Sequence, residues 1–305
     1  MYWIINLRHV PSIPARALRA HSLLAGALLL AAPLPAFAQD RSSASDLPSD
    51  QGEVFTDGDY LILGVGAGYM PSYEGSDNYI ITGAPVIRGS YHGFDFESRG
   101  TAVAVDVLPN PNDAAFNLLL GPELRINFDR TNRINDTAVR ALGERDVAIE
   151  AGGFAGFAYS GLLNPYDSVT ARVDVLTDVS SQHDGTLVIP SLAYSTPLSQ
   201  AIFAFVSVDG TWADDNYTDA FFSVTPAGAL ASGLPVYTAQ GGWKDVSINF
   251  GANYDLSGDL RDGGLGVFVG ASYSRILEDA ADSPIVRLRG DRDQWFVAGG
   301  VTYGF

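Results

Sequence analysis

Gln294 to Phe305 reads QWFVAGGVTYGF, and its side chains alternate. Trp295, Val297, Val301, Tyr303 and Phe305 fall on one face, while Gln294, Ala298, Gly300, Thr302 and Gly304 fall on the other. A period of two is the period of a strand. One face is apolar and aromatic; the other is small or polar. A soluble sandwich can use such a strand, but one aromatic at its end and another two residues inside suit a bilayer interface, where aromatic girdles sit.

Two further segments carry the same pattern. In Phe116 to Asp129 the even positions are Phe116, Leu118, Leu120, Pro122, Leu124, Ile126 and Phe128, and the odd ones include Asn117, Glu123, Arg125, Asn127 and Asp129. In Ser168 to Val179, Val169, Ala171, Val173, Val175 and Val179 alternate with Thr170, Arg172, Asp174 and Asp178. Both reach the roughly nine to eleven residues that a tilted strand needs to cross a bilayer. A large sandwich with one face in water makes the same alternation, but with ordinary strands of about five or six residues.

Met1 to Ala38 reads as a secretory signal: Arg8, Arg16 and Arg19 precede the apolar run Leu23–Ala32, and Ala36-Phe37-Ala38 offers a small-x-small cleavage site between Ala38 and Gln39. Pro33 and Pro35 stop that run short of a membrane helix. The expected domains are therefore the signal over 1–38, a polar periplasmic leader over Gln39–Asp59, and a barrel over 60–305. The formal charge is −17, and loss of three signal arginines makes the mature chain more acidic still. Nucleic acid and anionic headgroups need a basic face, so neither is an expected direct partner. With no cysteine, the fold must close by backbone pairing and packing. No later run approaches the roughly eighteen apolar residues of a membrane helix, yet apolar faces recur throughout, which leaves a periplasmic all-β protein or a closed outer-membrane barrel.

Strand signals begin at Tyr60 and recur at Val147–Tyr159, Thr186–Thr196, Ile202–Trp212, Asp245–Asp255 and Leu265–Ile276. Short turns alternate with long connections at Arg130–Asp146, Ala213–Trp243 and Leu277–Asp293, which belong at the cell surface. If Ile80–Ser90 and Phe94–Val107 are one strand each, the total is eleven, and bacterial single-chain barrels have even numbers. The phase offers the repair: Asp95, Glu97 and Arg99 are polar at odd positions, whereas Val103, Val105 and Val107 are apolar at odd positions. A bulge near Ser98-Arg99-Gly100 would reset the register, but a tight surface turn there would also satisfy parity and give an all-β, antiparallel up-and-down transmembrane barrel of twelve strands, with ten as the alternative.

Few residues suggest chemistry. The mature histidines are His92 and His183, and His183 lies in Asp178-Val179-Ser180-Ser181-Gln182-His183-Asp184-Gly185. Serine, histidine and aspartate crowd there, but Asp184-Gly185 is also a turn signal, and the expectation is no enzyme. Asp214-Asp215-Asn216 and Glu278-Asp279-Ala280-Ala281-Asp282 offer oxygen ligands for calcium or magnesium, without EF-hand spacing, so they read first as solvated loops. No cofactor is expected. Glu123, Arg125, Glu150, Arg172 and Asp174 point inward by phase, and they either pair across a narrow barrel and plug it or line a small pore. Thr225-Pro226 followed by Ala227 to Ala231 and Gly233 reads as a short helix with a start and a stop, a candidate lid over the mouth.

Several stretches stand out: Pro71-Ser72-Tyr73-Glu74-Gly75-Ser76-Asp77-Asn78-Tyr79, Thr211-Trp212-Ala213-Asp214-Asp215-Asn216-Tyr217, Ala231-Ser232-Gly233-Leu234-Pro235 and Lys244-Asp245-Val246. The tail adds Ala271 to Leu277 followed by Asp279 to Val286. Together they resemble the MipA/OmpV family of outer-membrane proteins. The resemblance implies an outer-membrane barrel in contact with lipid. For the name-giving member it implies a scaffold that joins a lytic transglycosylase to a peptidoglycan synthase. Other members are linked to adhesion and to antibiotic uptake or resistance, and a small cation-favouring channel is the alternative that the acidic loops suggest. The terminal Phe is similar to the signature read by the barrel-assembly machinery, which makes Tyr303 and Phe305 the candidate assembly signal.

Overall fold

The computed structural model describes residues 59–109, 114–260 and 263–305. The expected signal, its Ala38–Gln39 junction and the expected leader up to residue 58 lie outside the described residues.

Twelve strands close into one antiparallel ring. They are β1 (Tyr60–Pro71), β2 (Tyr79–Tyr91), β3 (Phe94–Arg99), β4 (Ala102–Asp106), β5 (Phe116–Asn127), β6 (Ala148–Ser160), β7 (Ser168–Asp178), β8 (Thr186–Pro197), β9 (Ile202–Ala213), β10 (Gly242–Asp255), β11 (Gly264–Ile276) and β12 (Asp293–Gly304). Every strand pairs with its sequence neighbours, and β12 pairs with β1 from Ile62↔Gly304 to Tyr69↔Val297. Closure matters in hydrocarbon because no water is there to satisfy a free strand edge. Among the described residues, five helices lie in the surface loops: α1 (Thr137–Ala141), α2 (Asp215–Phe222), α3 (Pro226–Ser232), α4 (Glu278–Asp282) and α5 (Pro284–Arg287). None of the described helices is long and apolar enough to cross a membrane.

The alternation sets the two faces of the wall. In β5, Leu118, Leu120 and Leu124 are exposed to the outside while Asn117, Leu119 and Glu123 are buried inside. In β12, Gln294 and Thr302 are buried, and Trp295, Val297, Val301 and Tyr303 are exposed. Such an apolar belt, about half exposed in this chain alone, is what a lipid-facing wall presents. Aromatic pairs mark its rims: Tyr69 stacks on Tyr79 at 4.9 Å at the outer rim, and Tyr303 meets Phe305 edge-on at 4.9 Å at the other.

The expected register reset occurs, with Gly100-Thr101 as the turn and Gly100 at φ 61°. It flips the phase, so that Asp95, Glu97 and Arg99 face inward and Val103 faces out. The turn is not at the surface, however. β3 and β4 have only six and five residues, and β2 pairs with β3 over Arg88–Tyr91 alone, although its pairing with β1 continues to Tyr79. The hairpin therefore ends partway up the wall.

Candidate functional site

The lumen is crossed by charge. Arg99 approaches Glu97 at 2.5 Å, Glu123 at 3.2 Å and Asp174 at 3.5 Å. Arg172 approaches Asp174 at 2.8 Å and Glu123 at 3.9 Å. The ring of Phe154, inward from β6, lies 4.7 Å from the Arg99 guanidinium and 4.8 Å from that of Arg172. Two planar cations on an aromatic face, each fixed by carboxylates, make a rigid layer. One layer higher, Arg125 pairs with Glu150, which also accepts from Asn127 Nδ2 at 3.0 Å and contacts His183 Nε2 at 3.2 Å. All five lumenal charges named from phase thus lie inside the wall. Arg99 and Glu97 join them because their phase belongs to β3.

The mouth is filled by packed loops. Between Trp243 and Asp245 the β9–β10 register shifts by one residue, a bulge that turns both Lys244 and Asp245 inward. Lys244 Nζ pairs with Glu74 and, at 3.0 Å, with Asp245, and lies 5.4 Å from the centre of the Tyr217 ring. Tyr217 Oη donates to Glu74 Oε2 at 3.4 Å. Burial, and then the nearby Glu74 charge, holds the Tyr217 phenol well above its ordinary pKa. Burial likewise pushes Asp129, just past β5, up to about 7, with Glu74 adding to the rise.

The core of the plug is α2, whose Tyr217, Phe221 and Phe222 pack against Ile276 and Val286. Its N-terminus is capped by Asp214, which accepts from Tyr217 N at 3.0 Å. A helix C-terminus leaves carbonyls free, and three side chains from other loops answer them. Arg130 donates to Phe221 O at 3.0 Å, Ser283 to Phe222 O at 2.5 Å, and Arg145 to Ala220 O. Burial pulls Arg130 down to about 10, which still leaves it charged at neutral pH. The helix expected from Thr225 to Gly233 forms as α3, with Thr225 Oγ1 accepting from Gly228 N at 3.0 Å and Gly233 at φ 77°. It lies on top of the plug and buries none of its own residues.

The Ser-His-Asp cluster and the loop acids make contacts within the fold. Ser180 Oγ donates to Asp178 at 2.6 Å, while His183 Nε2 faces Glu150 and its Nδ1 accepts from Gly185 N at 3.0 Å. Serine and histidine are therefore not joined as nucleophile and base. Asp215 accepts from Gly241 N at 2.6 Å, Glu278 from Trp243 N at 2.8 Å and Asp279 from Gln240 N at 3.1 Å, so these acids tie loops together. No group of three or more metal-type ligands occurs among the described residues. Between plug and ion layer lies a cavity of about 710 Å³.

Sequence reasoning missed Lys244, because a bulge breaks the alternation that would reveal it, and α2, whose aromatic residues read as ordinary loop. The contact between Glu74, Lys244 and Tyr217 joins three of the stretches that carried the family resemblance.

YiaT of Escherichia coli K12, named as a provisional outer-membrane protein, is 23% identical over 246 residues, which cover 80% of this chain and 91% of that one. OmpT of Vibrio cholerae in its trimer form overlaps at TM-score 0.37 and 8% identity, covering 81% of this chain and 98% of that one. OprD of Pseudomonas aeruginosa overlaps at 0.32 and 13%, covering 84% and 66%. At such scores the overlap says nothing about function. The family model for the MltA-interacting protein MipA matches residues 63–305, and this outer-membrane barrel belongs to that family.

Proposed function

We propose that the barrel is a non-conducting anchor that holds peptidoglycan-remodelling enzymes, a lytic transglycosylase and a peptidoglycan synthase, at the inner face of the outer membrane. The observation that carries this reading is the filled mouth, because a lumen closed by α2 and crossed by Arg99 and Arg172 favours a binding role over bulk conduction. The family description, which names an interaction with MltA, supports the class of partner. The ordered turns on the inner side are short, as at His92-Gly93 and 198–201. The polar leader over residues 39–58 is therefore the better place for a partner to grip.

The test is capture of a purified lytic transglycosylase by the refolded barrel, with and without residues 39–58. Asp59 is kept, since its carboxylate accepts from His92 N at 2.6 Å and closes the first inner turn. Capture lost with the leader supports the reading. Capture unchanged moves the contact to the turns, and no capture by either form removes the scaffold role.

A further inference from the structure

The short β3–β4 hairpin leaves the wall open above it. Ile126 N donates to Thr101 O at 3.2 Å, so the hairpin tip reaches the upper end of β5. On the other side the tip stops opposite the middle of β2, and the upper half of β2 is paired with β1 only. A free strand edge in hydrocarbon is costly, because every unpaired N–H and C=O faces lipid.

This edge is fitted for exposure. Ile87 N–H donates to Ser98 Oγ at 3.0 Å, across the gap from its β1 side. Polar groups of alternate residues point the same way, so those of residues 85, 83 and 81 also face the gap. Residue 85 is proline, which has no N–H to leave unpaired. Ile81 O accepts from Arg133 Nη1 at 3.1 Å, a side chain reaching across from the β5–β6 loop.

The cavity runs through this opening. Its lining includes Thr82, Val86 and Arg125 on the inner side of the wall, and also Ile126, Phe128 and Val147, which are exposed on the outer side. The height is set by Tyr69, which pairs with Ile81 and stacks on Tyr79 in the outer girdle. Residues 82–87 continue from that girdle toward the bilayer centre, at the depth of the outer-leaflet chains. The volume lies within the range of small-ligand sites.

We infer that the gap between β2 and β5 is a lateral portal through which a single-chain amphiphile of the outer leaflet places its apolar tail in the cavity. Ile126 and Phe128 carry the tail through the wall. Val86 receives it inside, and the polar head stays near Arg133 at the rim.

The test uses the whole refolded barrel in phosphatidylcholine nanodiscs with palmitic acid carrying a terminal diazirine. After illumination, labelled peptides are mapped by mass spectrometry. The expected result is saturable labelling concentrated in residues 80–87 and 126–133, displaced by excess unlabelled palmitate. Labelling spread evenly around the lipid-facing belt overturns the portal. A second arm fills the space with V86W, which should cut saturable labelling by about tenfold, while L230A on exposed α3 leaves it unchanged. Should V86W not fold, the peptide map of the unaltered barrel decides alone. Equal labelling in V86W and the parent overturns the proposal, as does labelling that palmitate cannot displace.

Discussion

Lys244 holds its ammonium 5.4 Å from the centre of the Tyr217 ring while pairing with Glu74 and Asp245, so one buried cation ties the barrel wall to the first surface loop and to the plug helix. Lys244→Met should leave Glu74 and Asp245 without their shared cation at the mouth. Breaking a fully buried pair costs about 3–5 kcal/mol, and less is expected here because the Glu74 side chain is 34% exposed. The expected outcome is a lower unfolding temperature in the heat-modified gel shift, with partial recovery in the Lys244→Met/Glu74→Gln double variant. No loss in the single variant would refute the tie.

Phe221 is the second anchor of the plug, buried against Tyr217 and His183. Phe221→Ala removes a large core side chain and should cost about 3–5 kcal/mol. The loss should appear as faster proteolysis of the β9–β10 loop and not as loss of the barrel. Equal cleavage of variant and parent would show that α2 is not held by this packing.

Conductance tests the closed mouth directly. The parent barrel should show no discrete openings in planar bilayers. Deletion of residues 219–233 removes Phe221, Phe222 and α3 and should produce openings, favouring cations because the chain is strongly acidic. Openings of equal size in both forms would restore the channel reading.

Acid should loosen the outer loops through Asp136. Partial burial raises its carboxyl pKa. Hydrogen bonds from Arg289 and from the amides of Val139 and Ala138 outweigh that rise and hold it below the usual range. A depressed carboxylate contributes stability above its unfolded value of about 3.9, and that contribution is lost as pH falls through the folded value. Cleavage in the α1 loop by an acid protease should therefore rise below about pH 4 in the parent. Asp136→Asn should be cleaved more readily throughout and show a flatter pH response; an unchanged pH profile would exclude Asp136 as its source.

Gly290 tests the contact between the first and last surface loops. A Cβ there would lie 1.7 Å from Gly75 O, and Ser76 bridges to Gly290. Gly290→Ala must push these loops apart, at about 1–3 kcal/mol for overpacking. Proteolysis at residues 72–78 should increase, while a silent substitution would mean that the loops move apart freely.

The sequence by itself determined the barrel, because side chains of a strand alternate strictly and one face of each must meet lipid, and it favoured twelve strands over ten; the pairing of the closed ring decided that number. The phase change between Arg99 and Val103, taken with the even strand number of bacterial barrels, pointed to the division of one segment into β3 and β4. The caps at Thr225 and Gly233 were enough to place α3, since both act through neighbouring residues in the chain.

The tertiary structure alone decided the site. Lys244 faces inward through a bulge that is defined only by the pairing of β10 with β9. α2 is held by Arg130, Arg145 and Ser283, residues remote in sequence. The height of the β3–β4 turn, and with it the gap beside Pro85, depends on register against β2 and β5. Local alternation reports which face a residue takes; it carries no information about how far one strand slides along another, and that sliding is what opened the wall.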